Sequence, residues 1–271
     1  MSSYASGGGD AAGFLAFGLS DRGKVRPRNE DRFVCQPDRA LLAVADGMGG
    51  APGGERASET ALEAFSTHPS ISALESASAT EARQGLTSAL EEAYIRVAAL
   101  SRADPGLRGL GTTLTAVLIL PERREYALAH VGDSRAYLLS SRSASPSAPE
   151  LVRLTQDHTR AQEAVDAGVL APEEAEGHPL SHVLTRVVGD YGPLEPQVQS
   201  GSLGAGWRLI LCSDGLTGCV ADREIEELLR AWPDEDPEGA CRELVGLSLS
   251  RGAPDNVTVV VAFQTVGGAK G

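Results

Sequence analysis

Four stretches of the chain set an aspartate where a run of apolar, strand-forming residues meets a turn. "AVADG" closes on Asp46-Gly47, "LILCSDG" closes on Asp214-Gly215, "LAHVGDSR" carries Asp133 behind Gly132, and "APDNVTVVV" places Asp255 just ahead of a strand. "RNEDRF" adds Glu30 and Asp31 at the start of another. A sheet protein that gathered these ends into one cleft would crowd like charges, which repel and which burial penalises further. Divalent cations make such a cluster favourable. With no HExxH and no paired cysteines, the donors are nearly all oxygen, and hard oxygen donors select Mg²⁺ or Mn²⁺ over zinc or copper. Gly47 has a further use, because without a side chain its carbonyl can approach an ion beside the Asp46 carboxylate. Any one Asp-Gly after a strand is also ordinary turn chemistry; the recurrence is what argues for a site.

The elements that must position these acids follow from the apolar periodicity. Strands are expected at 14–21, 31–36, 40–46, 112–120, 124–133, 135–140, 151–155, 207–214 and 256–266. Helices are expected at 54–66 and 81–102, where Ala82, Leu86, Leu90, Ala93, Val97 and Leu100 form one stripe. Two more are expected at 222–232, stopped by Pro233, and at 237–251, with Asp236 as N-cap before Pro237. Between 157 and 190 the β pattern breaks into polar sequence, with "RAQEAVDAGVL" and "PLSHVLTRVV" read as short helices and "SRSASPSAPE" before it as a polar hairpin loop. Short links between neighbouring strands favour antiparallel pairing. The expected fold is therefore α+β, a four-layer α/β/β/α sandwich of two mainly antiparallel sheets flanked by helix pairs. One domain over 14–266 is expected, with a flexible tail at 1–13 and another at 267–271.

Composition narrows the partners. A net charge of −13 over 271 residues argues against nucleic acid or an anionic membrane as the main partner. No apolar run approaches the roughly eighteen residues that span a bilayer, and "MSSYASGGGDAAG" lacks the basic and apolar regions of a signal peptide. Cys35, Cys212, Cys219 and Cys241 form no CxxC pair, which points to a reducing, cytoplasmic home, with Cys212 and Cys241 as core residues.

The segments "VRPRNED", "LLAVADGMGG", "GTTLTAVL", "AHVGDSRAYLL", "LTQDHT", "LTRVVGD", "LILCSDGL" and "DNVTVVV", in this order, resemble the bacterial metal-dependent Ser/Thr protein phosphatases of type 2C over about residues 14–264. The resemblance implies that Asp46 bridges two Mn²⁺ or Mg²⁺ ions with the Gly47 carbonyl beside it. It makes Asp214 and Asp255 the remaining direct carboxylate ligands, and Glu30 and Asp31 supporting acids that hold metal-bound waters. Arg26 becomes the phosphate-binding guanidinium, and Asp133, shared with Asp214, a ligand of a third, weaker metal site. Residues 157–190 become a flap beside the active site.

The implied activity is hydrolysis of phosphoserine and phosphothreonine in proteins by a metal-bridging water. The implied partners are Ser/Thr kinases and their substrates, with the chain acting as a monomer. A departure is Met48, where animal members carry a histidine proposed as general acid. His158 reads as a surface or structural histidine and His130 as a satisfied core residue. Two alternatives stand beside this reading: a phosphoprotein-binding module without turnover, and hydrolysis of a small phosphorylated metabolite.

Overall fold

The computed structural model describes residues 3–9, 13–48, 53–72, 77–140, 151–189, 192–233 and 235–265. The expected hairpin loop at 141–150 and the tail at 267–271 lie outside these. In chain order the strands are β1 (Ser3–Gly9), β2 (Phe14–Asp21), β3 (Arg32–Gln36), β4 (Leu41–Ala45), β5 (Gly47–Met48), β6 (Gly111–Thr112) and β7 (Leu114–Leu120). They continue as β8 (Glu125–Val131), β9 (Arg135–Leu139), β10 (Leu151–Arg153), β11 (Val188–Gly189), β12 (Gln197–Ser202), β13 (Arg208–Cys212) and β14 (Val257–Gln264). The α-helices are α1 (Gly53–Ser66), α2 (Pro69–Ser72), α3 (Ala79–Ala103), α4 (Arg160–Asp166), α5 (Pro172–Ala175), α6 (Asp214–Thr217), α7 (Asp222–Ala231) and α8 (Pro237–Ser250).

Two antiparallel sheets carry the architecture, one ordered β1-β2-β14-β13-β9-β10 and the other β12-β8-β7-β4-β3. Strand alternation feeds three apolar layers, because successive side chains leave a strand on opposite faces. Along β14, Val257, Val259, Val261 and Phe263 pack outward with Leu229 of α7 and Leu244 of α8. Val260 and Ala262 face inward, into the layer between the sheets, with Leu42, Val117 and Leu128. On the far side, Leu62, Phe65, Leu86 and Leu90 of α1 and α3 cover Leu41, Ala43, Leu118 and Ala129. Each such leucine, valine or phenylalanine contributes about 1.5–3 kcal/mol by leaving water. The expected four-layer sandwich is thus present, and its strands read as nearly continuous apolar runs because both faces are covered.

Helix ends follow local chemistry. Ser78 and Glu81 form a capping box on α3, with the Ser78 N–H donating to Glu81 Oε2 at 2.8 Å. Asp236 Oδ1 accepts from the Gly239 N–H at 2.8 Å to start α8.

Three expectations are corrected. Ser3–Gly9, expected within a flexible tail, pairs antiparallel with β2 from Ser3↔Ser20 to Gly9↔Phe14. Sheet addition uses only backbone N–H and C=O groups, which a Gly/Ser segment brings without an apolar pattern. "PLSHVLTRVV" is not a helix: it runs through turns to a single bridge, Thr159↔Leu184, and then β11. Its β-branched Val183, Thr185, Val187 and Val188 favour extended backbone, and cross-links from Arg160 N–H to Val183 O (2.9 Å) and Thr185 N–H to His158 O (2.9 Å) hold it there. Asp46-Gly47, expected to open a turn, leads instead into Gly47–Met48 paired with β6 in a small sheet ordered β11-β6-β5.

Candidate metal centre

The site lies where β4, the β8–β9 turn, the end of β13 and the start of β14 meet. Asp46 follows β4 directly. Its N–H donates to Thr113 Oγ1 at 2.9 Å, and its carbonyl accepts from the Thr113 N–H (2.9 Å) and Thr112 Oγ1 (2.8 Å). Those bonds hold the backbone and leave the carboxylate facing the cleft. Thr113 Oγ1 also meets Ser134 Oγ at 2.8 Å, which ties Asp46 to the turn bearing Asp133. In that turn Gly132 has φ +112°, and a Cβ there would lie 2.6 Å from Thr113 Cβ, so only glycine fits.

Next to Asp46, a Cβ on Gly47 would overlap Gly54 O and Glu30 O. A Cβ on Gly54 would come within 2.5 Å of Glu30 Oε2 and 2.7 Å of Gly47 O. Two glycines therefore keep a cradle open in which the Gly47 carbonyl and the Glu30 carboxylate approach the same place.

Asp31 is 1% exposed and joins the two sheets. Its Oδ2 accepts from Ser213 Oγ at 2.8 Å and Thr258 Oγ1 at 2.7 Å, whereas its Oδ1 is buried with no hydrogen-bond partner. Asp214 Oδ1 is likewise buried and unpartnered. Asp255 accepts from its neighbour's N–H on Oδ1 (2.8 Å) and from Arg26 Nη2 on Oδ2 (2.6 Å).

The electrostatics place these groups in one cleft. Burial, then the charges of Asp31, Asp214, Asp133 and Asp255, pushes the Asp46 carboxyl well above the usual range. Burial and then Asp214 do the same to Asp133. Burial raises Asp31 to about 7 against its two hydroxyl donors, with Asp214 and Asp255 adding to the rise. Glu30 rises by burial too, offset in part by Arg26. Arg26 is held above its usual value by Asp255, with Asp46 and Asp214 contributing. All eight expected site residues, Arg26, Glu30, Asp31, Asp46, Gly47, Asp133, Asp214 and Asp255, thus converge.

Two participants carried no signal of their own in the sequence reading. His182, in the stretch expected to be helical, brings its Nδ1 to 3.7 Å from Asp214 Oδ2, and that contact raises its pKa. Asn256, 4% exposed, accepts from the Glu30 N–H and donates Nδ2 to both Arg22 O and Arg28 O, each at 2.8 Å. It thereby fixes the loop bearing Arg26 and Glu30 against Asp255. The "DN" pair was visible, but not the 226-residue span from Asn256 to Glu30.

The other histidines are structural. His130 is fully buried, bonded to Thr115 Oγ1 at 2.8 Å and to Gln156 O at 3.0 Å, and burial drops its pKa to about 3. His158 is buried, not superficial: its Nδ1 accepts the Gly132 N–H (3.1 Å), its backbone N–H donates to Gly132 O (2.8 Å), and burial lowers its pKa to about 4. These bonds brace the Asp133 turn.

Among the described residues, no three His, Cys, Asp or Glu side chains close on one point as a metal cage would. Mg²⁺-type ions do not require such a cage, since they keep several waters and bind through one or two carboxylates. Unpartnered buried oxygens on Asp31 and Asp214, mutually repelling acids and the open Gly47–Gly54 cradle fit divalent cations with hydrated shells.

The family model described as protein phosphatase 2C matches residues 15–257. The serine/threonine protein phosphatase PstP of Mycobacterium tuberculosis is 40% identical over 247 residues, covering 90% of this chain but only 43% of PstP. The chain thus spans less than half of that relative. The serine/threonine phosphatase stp of Listeria monocytogenes is 32% identical over 246 residues, covering 89% of this chain and 92% of its own length. A crystal structure of the PstP catalytic domain in complex with two manganese ions superposes with a TM-score of 0.77 at 37% identity, covering 92% of this chain and 97% of that one. Matched over most of its length, with its acids gathered in one cleft, the chain belongs to the protein phosphatase 2C family.

Proposed function

We propose that the chain is a metal-dependent phosphatase acting on phosphoserine and phosphothreonine in proteins. The carrying observation is the convergence of Asp31, Asp46, Asp133, Asp214 and Asp255 on one cleft with Arg26 at its mouth. Asp46, the Gly47 carbonyl, Asp214 and Asp255 are the residues to hold two Mn²⁺ or Mg²⁺ ions, as the PstP catalytic domain holds two manganese ions. Glu30 and Asp31 would support their hydration, and Asp133 with Asp214 would supply a weaker third site.

Divalent ions so held act as Lewis acids, making water a nucleophile near neutral pH and neutralising phosphoryl charge. Arg26, about half exposed, has a planar fork that grips two phosphoryl oxygens once it leaves Asp255. Asp31 stays fixed between Ser213 and Thr258, so its free oxygen keeps its aim. No protein nucleophile is needed. The Cys212 thiol, two residues from Asp214, is pushed up to about 12 by burial and stays protonated. Neither Met48 nor the neutral, fully bonded His130 supplies a proton to the leaving group, and His158 is committed to Gly132.

The same reading places the chain in the cytoplasm as a monomer, with Ser/Thr kinases and their substrates as partners. Its four cysteines are free, as a reducing compartment keeps them. Among the described residues no helix is long and apolar enough to cross a membrane.

Phosphate release from a phosphothreonine peptide tests the proposal. It should require Mn²⁺ or Mg²⁺, stop with a chelator and return when the ion is restored. Turnover that persists through exhaustive chelation contradicts it, and tight peptide binding without turnover would favour a binding-only module.

A further inference from the structure

Between Asp21 and Glu30 the chain carries four cations, Arg22, Lys24, Arg26 and Arg28, and no acid. No other interval between successive acids holds as many, in a chain whose net charge is −13. The structure makes this segment a clamped arch. Asn256 Nδ2 donates to the carbonyls at both feet, Arg22 O and Arg28 O, each at 2.8 Å. Gly23, at φ +73°, packs against Asp255 O and bonds Asp21 Oδ1 through its N–H at 2.8 Å. The Lys24 N–H donates to Ala253 O at 3.0 Å. Residues 24–28 are all exposed, with Val25 at 69%.

The four cations divide by role. Arg22 reaches across the arch to Pro27 O, and Arg26 turns to Asp255 and the acids of the cleft. Lys24 and Arg28 flank Arg26 and form no ion pair among the described residues, although Arg28 feels the charge of Glu30. At about 3.3–3.6 Å per residue, each lies within roughly 7 Å of Arg26 along the chain. That upper bound equals the spacing of alternate residues in an extended peptide.

Resting on the phosphatase reading, we infer that Lys24 and Arg28 form a second anion subsite on this arch. It takes a carboxylate or a second phosphate borne by the substrate about two residues from the phosphoryl group that Arg26 grips. A rigid backbone carries the subsite, so binding orders only the two long side chains. Against the repulsive background of a chain with net charge −13, the arch is a local attraction for such substrates.

The test uses three phosphothreonine peptides alike except two residues on either side of the phosphothreonine: one neutral, one with glutamates, one with a second phosphothreonine. In the wild-type chain kcat/KM for each anionic peptide should exceed that of the neutral one by at least about threefold, the scale of an exposed charge pair. The preference should shrink as salt rises and fall to about one in the double variant Lys24→Gln/Arg28→Gln. Preference for both anionic peptides assigns a general anion subsite; preference for the doubly phosphorylated one alone assigns a phosphate subsite. Equal rates for all three peptides in the wild type, or an undiminished preference in the double variant, would overturn the inference. If no peptide is hydrolysed, the phosphatase reading falls, and the same preference measured as Kd by fluorescence anisotropy decides the subsite separately.

Discussion

At the scale of single residues the centre is organised around carboxylates that the fold holds together against their repulsion. Asp46 is the most heavily burdened, with four other acids raising its pKa. Replacing it with asparagine removes that repulsion, so Asp46→Asn should melt higher than the wild type in chelator, by about 2–4 °C for each kcal/mol relieved. The same variant should lose most of its turnover. An unchanged or lowered melting temperature in chelator would mean that Asp46 is not strained by its neighbours.

Asp31 makes a second residue-scale prediction. Its folded pKa of about 7 lies above the ordinary carboxylate value of 3.8, so between those values the folded chain holds a proton that the unfolded chain has released. Stability from this group is therefore full below about pH 4 and lost as pH rises to about 7. In chelator the melting temperature should fall between pH 5 and pH 7.5, and Asp31→Asn should flatten that fall. A melting temperature that rises over the window would contradict the assignment.

At the scale of elements, strand ends and short loops do the positioning. Asn256 closes the 22–28 arch and holds Glu30, so Asn256→Ala leaves the part-buried Glu30 N–H and two carbonyls without their partner. The expected cost is about 2–4 kcal/mol, with a lowered melting temperature and a raised KM for phosphopeptide as the arch loosens; an unchanged KM would show that the arch stays put without this clamp. The acids and their strands were legible beforehand, because an apolar run ending on Asp-Gly leaves a mark in sequence. The clamps were not, since Asn256–Glu30 and Asp31–Thr258 join residues 226 and 227 positions apart and Thr113–Ser134 ties the link between β6 and β7 to the β8–β9 turn. His182 was hidden by "PLSHVLTRVV", whose apolar spacing mimics a helix while its β-branched residues and cross-bonds hold an extended backbone after the turns. Strand β1 escaped for the opposite reason, because backbone pairing demands no side-chain pattern.

At the scale of the whole molecule, the sandwich brings loops of both sheets to one cleft. Asp46 follows β4 of one sheet, Asp214 and Asp255 flank β13 and β14 of the other, and Asp31 spans them through Ser213 and Thr258. Ions bound there would cross-link the two sheets and stabilise the folded chain by mass action, by about 2.7 kcal/mol at a hundredfold excess over Kd. The carboxylate cleft is the proposed divalent-metal centre, shared by both sheets. Calorimetric titration of Mn²⁺ into the purified chain tests it most directly. About two ions should bind per wild-type chain, the number in the PstP catalytic domain, and at least one fewer in Asp46→Asn. Absence of Mn²⁺ binding by the wild type, or the same stoichiometry and affinity in Asp46→Asn, would contradict it.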